Sequence, residues 1–158
     1  MVPLRCTFLP ANSKALKTIE DAVSILDYFN GFHDGFIKQL TLKSPDEFKD
    51  WGHQLCTGNL SLEIIFAHYN YAAGERPHTQ LIEAEFRQVK ELSINFSGQS
   101  HEWSILNVWV TESTRTREDG SSEPCFKVVF LQNRLESNEW KSNEDLAFTF
   151  AEIVFREF

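Results

Sequence analysis

At 158 residues, with 42% apolar residues that include 14 Phe and 4 Trp, the chain has the length of one domain and enough apolar material to pack a core without disulfides or a structural metal. Its 15 Lys and Arg are scattered among 23 Asp and Glu, for a formal charge of −8, which excludes the clustered positive surface that a nucleic-acid backbone requires. A partner with a basic face is the kind that such a charge steers in.

The opening MVPLRCTFLP is interrupted by Arg5 and two prolines, so it lacks the continuous apolar core of a signal peptide, and no apolar run approaches bilayer length. Cys6, Cys56 and Cys125 are odd in number, far apart and without a C-x-x-C pair, a usage that fits three buried free thiols in a reducing cytosol. These features predict one soluble cytoplasmic domain over residues 1–158 with no membrane contact.

In chain order, Thr18 and Asp21 form a variant capping box, and Ile19, Ala22, Val23, Leu26 and Phe29 follow at helical spacing. Asn30 and Gly31 then supply the residues that most easily end a helix, so residues 18–29 are predicted to be an amphipathic helix. From Phe36 to Leu42 apolar residues alternate with a period of two, broken only by Lys38, which predicts a strand. Ser44, Pro45 and Glu47 carry the signals of a helix start, and the pattern predicts a short second helix with Phe48, Trp51 and Leu55 on its buried side, cut to one or two turns by Gly52.

From residue 59 onward the pattern is strand after strand. Leu60, Leu62, Ile64 and Phe66 share one parity, and the turn-rich stretch from Ala73 to Pro77 ends that strand. Residues 80–96 are too long for one regular strand, and Val89 breaks the parity of Ile82, Ala84, Phe86, Leu92, Ile94 and Phe96, so a bend or bulge is predicted near Gln88 to Lys90. Turns at Ser97 to Gln99 and Glu118 to Gly120 lead into strands over 103–111 and 125–131. The last strand changes parity between Phe150 and Ile153, which predicts a second bulge near Ala151. The fold class is therefore α+β: a mainly antiparallel, rolled or bent sheet with an N-terminal helix and one short second helix. No repeat or linker divides the chain.

The most distinctive tract is FNGFHDG, which places Phe32, His33, Asp34 and Gly35 between a helix end and a strand start. A His beside an Asp can share a metal or tune a proton-transferring imidazole. Turn chemistry accounts for the same residues: Asp34 and Gly35 make the turn, Phe32 anchors it and His33 bonds to backbone. The HD-type metal phosphohydrolases carry this dipeptide in a helical bundle with further ligands on other helices, companions that this strand-rich chain lacks.

The order helix, Phe32-His33-Asp34-Gly35, strand, and a final strand bearing Leu146, Phe148 and Phe150 resembles the small immunity proteins of bacterial polymorphic toxin systems that have a Phe-His-Asp motif after their first helix. The resemblance implies a non-enzymatic protein that binds and neutralises a toxin domain. The tract from Ser44 to Trp51 and the long stretch 80–96 depart from that family's pattern.

Other candidate chemistry is incomplete. His53 and Cys56 have half the spacing of a zinc site and no second half, so neither metal nor cofactor is expected. Glu83 and Glu85 lie on one strand face with backbone separation of roughly 6.6 Å, where two carboxylates divide acid and base roles if one sits in an apolar pocket. Their face neighbours Leu81 and Arg87 point instead to a solvated face with a local ion pair. No nucleophile elbow or phosphate loop is present. Tyr69, Tyr71, Trp103 and Trp109 fall on strand faces opposite apolar residues, so the sheet is either covered on both sides or presents an aromatic contact surface for a dimer or a partner.

The leading expectation is thus a non-catalytic protein-interaction domain. A hydrolase using His33 and Asp34 with Glu83 or Glu85 is the enzymatic alternative, and a small-ligand β-roll is a third. If the Phe32 to Gly35 tract is a structural turn, Asp34→Ala lowers the denaturation midpoint by an amount on the order of 1 kcal/mol. An unchanged midpoint with a bound metal lost on the same substitution would give the tract a chemical role instead.

Overall fold

Alternating apolar and polar side chains place one face of each strand in a common interior, and that pattern decides the architecture. The computed structural model describes residues 14–16, 18–21, 24, 35–55, 59–70, 78–96, 104–136 and 139–157. Ten strands are found among them: β1 (Lys14–Leu16), β2 (Gly35–Lys43), β3 (Glu47–Phe48), β4 (Gln54–Leu55), β5 (Leu60–Asn70), β6 (His78–Ile94), β7 (Ser104–Thr116), β8 (Ser122–Glu136), β9 (Glu139–Phe150) and β10 (Glu152–Glu157). Eight of them form one antiparallel sheet in the order β1-β10-β6-β5-β2-β7-β8-β9, and β3 and β4 form a separate two-stranded ladder.

Strand β6 also pairs with β9, so the hydrogen-bonded ladder that leaves β6 through β5, β2, β7 and β8 returns to it. The return requires bends, and these fall at three places where the sequence breaks parity. In β2 the register with β5 shifts between Ile37 and Gln39, across Lys38. In β6, Gln88 and Glu91 both adopt positive φ, 53° each; the strand pairs with β10 up to Arg87 and with β9 from Lys90. At the last bend β9 gives way to β10 at Ala151, whose N–H donates to the Arg87 carbonyl at 3.1 Å.

A further shift, between Ile105 and Asn107 where β7 meets β8, was not legible in the alternation. It turns Ile105 and Val108 to the same interior, although their spacing puts them on opposite faces of a regular strand. The β7–β8 turn lies at the predicted residues: Gly120 has φ 82°, its N–H donates to the Arg117 carbonyl at 3.0 Å, and the Asp119 carboxylate accepts from the Ser121 N–H at 2.9 Å.

The core is aromatic. Phe66, Phe86, Phe130, Phe148 and Phe150 meet Leu62, Ile64, Ile82 and Leu146 in one buried cluster. Phe86 stands edge-on to Phe148 at 4.8 Å and to Phe150 at 5.0 Å, and Phe66 stacks on Phe130 at 5.8 Å between centroids. Such pairs contribute ~0.5–1.5 kcal/mol each beyond area burial.

The helix content differs from expectation. Residues 19–21 and 24 are helical, and the Asp21 N–H donates to Thr18 Oγ1 at 3.2 Å, the capping bond the sequence predicts; the rest of 18–29 lies outside the described residues. The predicted second helix is not formed. Residues 47–55 are instead a β3–β4 hairpin with a single 3-10 turn at Asp50–Gly52. Ser44 Oγ accepts from the Asp46 N–H at 3.2 Å, a local bond that serves a serine turn as well as a helix cap, and a strand follows it. Trp51 and Gly52 have φ of 64° and 74°, a left-handed pair that a helix cannot contain.

Replacing Phe148, which touches three other phenyl rings, by Ala is expected to cost ~3–5 kcal/mol in denaturant unfolding. Trp51→Ser on the exposed hairpin is expected to stay within ~0.5 kcal/mol of the parent. Equal losses would mean that the hairpin packs on the core.

Candidate functional site

The pairing registers lay out the outer face of β2, β5, β6 and β10 row by row. Phe36 lies opposite Ala67, which lies opposite Leu81, so one apolar row crosses three strands, with Tyr69 next along β5 on the same face. Phe36, Leu81 and Tyr69 are exposed, and the Lys38 ammonium sits 5.6 Å from the centroid of the Phe36 ring.

The neighbouring rows are charged. Glu63 lies opposite Glu85, and Glu83 lies opposite Arg156 of β10. Lys43 Nζ donates to Glu63 at 2.6 Å, Arg87 Nε to Glu85 at 3.0 Å, and Arg156 reaches both Glu83 and Glu85. The hydrogen bond from Arg87 holds the Glu85 carboxyl below the usual carboxylate range. A general acid needs the opposite shift. The Glu83 and Glu85 pair is therefore brought together, as its spacing requires, inside an arginine-bridged ion-pair network.

Of the other predicted site residues, Gly35 opens β2, is buried and pairs with Ile105. Phe32, His33, Asp34, Tyr71 and Trp103 lie outside the described residues. Trp109 is 57% exposed on β7, opposite half-buried Val129. Among the described residues no group of three His, Cys, Asp or Glu could hold a metal, and no helix is long and apolar enough to cross a membrane.

A second polar cluster fastens the end of the β7–β8 hairpin to the β6 bend. Arg115, whose side chain is 2% exposed, donates from Nε to Glu123 at 2.5 Å and from Nη1 to the carbonyl of Gln88. Arg117 Nε bonds the other Glu123 oxygen at 3.0 Å, and Lys90 Nζ stands at 3.6 Å. Hydrogen bonds from Arg117 and Arg115 hold the Glu123 carboxyl down at about 2. Beside this cluster lies an open cleft of about 730 Å³ between Phe126, Ser113 and Ala151. Cys125 lines it as a free, buried thiol, and burial pushes its pKa up, away from the nucleophilic thiolate.

The residues that sequence reasoning missed are on the β3–β4 hairpin. Trp51 is 97% exposed, Phe48 72%, and Leu55 is also exposed. The turn is closed by the Lys49 N–H on the His53 carbonyl at 2.6 Å and the Gly52 N–H on the Lys49 carbonyl at 3.2 Å. It holds Trp51 at φ 64°, ψ 22°, a conformation that costs a non-glycine residue ~1–2 kcal/mol. The available signal was the Asp-Trp-Gly turn tripeptide.

No family model matches the chain, and no match is found among curated proteins or solved structures.

Two titrations lower stability as pH falls, each in its own window. His68 is buried on β5 opposite Gln80, and burial pushes its imidazole below the ordinary value of about 6.5. The unfolded chain then takes up a proton that the native one refuses, so stability falls as pH drops below about 6.5. Glu123 contributes stability that is present above the ordinary carboxylate range and is lost as pH falls toward about 2. Denaturation midpoints measured against pH are expected to lose the first limb in His68→Gln and the second in Glu123→Gln. Curves parallel to wild type would remove both assignments.

Proposed function

We propose that the chain is a non-catalytic protein-interaction domain, and that it acts as its resemblance to Phe-His-Asp immunity proteins implies, by binding and neutralising a toxin domain. The observation that carries this reading is a mismatch on the surface: large apolar side chains are exposed, while charged groups suited to chemistry are bound to one another. Phe36, Leu81 and Tyr69 crowd one patch and Trp109 stands on another. Aromatic and apolar anchors of this kind carry the binding energy of protein interfaces, surrounded by a polar rim such as the Glu63, Glu83 and Glu85 rows provide. The same carboxylates are engaged by Lys43, Arg87 and Arg156, and the Arg87 hydrogen bond holds Glu85 below the usual carboxylate range, the wrong direction for a proton donor. A formal charge of −8 favours encounter with a basic partner.

The test is affinity capture of the tagged chain from its own cells, set beside the double variant Phe36→Ser, Leu81→Ser. A protein held by the parent and lost from the variant, at equal denaturation midpoint, is the expected result. That protein should arrest growth when expressed alone and be tolerated when coexpressed with the chain. If it is harmless, the immunity role falls and the interaction role stands. Identical recovery from both chains would overturn the proposal.

A further inference from the structure

The β3–β4 hairpin exposes its two aromatic side chains, Phe48 and Trp51, more fully than any other large apolar residues among the described residues. Its ladder is two residue pairs, Glu47 with Leu55 and Phe48 with Gln54, and it has no ladder to the main sheet. Phe48 and Leu55 lie on opposite faces of that ladder; Phe48 is 72% exposed, and Leu55 is partly covered at 42%. An isolated two-stranded ladder is marginal in water, and this one displays a Phe, a Trp and a Leu. At its tip the Asp-Trp-Gly turn, closed by backbone hydrogen bonds on either side of it, holds Trp51 in the left-handed region, where a tryptophan is disfavoured. The turn fixes the backbone at Trp51 and with it the place where the indole is presented, while the exposed ring keeps its own rotamer freedom.

The charges around the indole say what kind of partner it fits. Asp46, Glu47 and Asp50 precede it, against a single lysine, Lys49, which is itself paired with Glu47. Two copies of such a hairpin repel each other, and an anionic bilayer repels each one. A cationic protein surface attracts it.

We infer that the β3–β4 hairpin is a docking element that inserts Trp51, flanked by Phe48, into an apolar pocket rimmed by Lys or Arg on a partner protein. The inference rests on the interaction reading above and adds a site that the sheet-face residues do not include. Its occupant is a basic protein; a second copy of the chain and a lipid surface are the competing occupants.

The experiment places a photo-crosslinking benzoylphenylalanine at position 51 of the full chain, with the same probe at Leu81 on the sheet face and at exposed Thr111 as a background control. Irradiation in the native cells followed by mass spectrometry identifies the segment joined to the probe. The expected product from position 51 is a segment of another protein that carries clustered Lys or Arg beside apolar residues. Its yield should fall about tenfold or more, the behaviour of a hot-spot residue, when Asp46→Lys and Glu47→Lys are introduced. Trp51→Ser should lower affinity capture of the same protein by a similar factor without moving the denaturation midpoint.

Crosslinks from position 51 to the chain itself, to lipid or to an acidic segment would overturn the assignment, as would a yield no greater than that of Thr111. A product from Leu81 with none from position 51 would sink the hairpin inference alone and leave the interaction reading standing. Silence at both positions would remove both.

Discussion

Strand β6 hydrogen-bonds to β5 along one edge and to both β10 and β9 along the other, and the rest of the sheet hangs on its bend between those two partners. A straight strand of 17 residues would keep every odd side chain on one face for its whole length. The left-handed residues Gln88 and Glu91 break that rule, which turns Val89 into the core and lets the second half of β6 meet β9. Three contacts fix the bend from outside. Arg115 Nη1 and Thr149 Oγ1 donate to the carbonyls of Gln88 and Lys90, and the Ala151 N–H donates to that of Arg87. The carbonyls that a bulge takes out of the ladder are thus satisfied by side chains and by the neighbouring bend, as buried backbone requires.

Because β6 bends in register with β9 and β10, the ladder comes back on itself and the inward faces of strands distant in sequence share one interior. Phe66 of β5 reaches Phe130 of β8, and Phe86 of β6 reaches Phe148 and Phe150 of β9. The buried Arg115 is part of the same constraint. It lies on the face of β7 away from Val108 and would be a costly charge there without Glu123 opposite it.

The parity of apolar residues made much of this readable in advance. Val89 and Lys38 each interrupt an alternation and mark a bulge, and Ala151 marks the bend that separates β9 from β10, because a buried face cannot tolerate a slip without turning its apolar set to water. The slip between Ile105 and Asn107 left no such trace, since apolar residues stand at 105, 106, 108 and 110 and any register looks satisfied. The β3–β4 hairpin was misread for a different reason. Ser44, Pro45 and Glu47 are sound local signals, and Phe48, Trp51 and Leu55 have helical spacing, but an amphipathic helix needs an apolar surface to receive it. The sheet fills its own interior with phenylalanine, and Gly52 supplies the left-handed turn that a hairpin uses. For the site, spacing alone placed Glu83 and Glu85 together; their engagement by Arg156 joins residues more than seventy positions apart and is written nowhere in the local pattern.

The hairpin's separation from the sheet has a consequence for how the protein changes over generations. Two ladder pairs of its own and none shared with the eight-stranded sheet mean that residues 47–55 open and close without disturbing the core, so their amides exchange with solvent at the low end of the protein's range of opening energies. The same independence frees their side chains from the packing constraint that fixes Phe86 or Phe148. Substitutions at the tip leave the core packing untouched, and descendants of this chain can drift at a handful of solvent-facing positions there while the sheet beneath stays as it is.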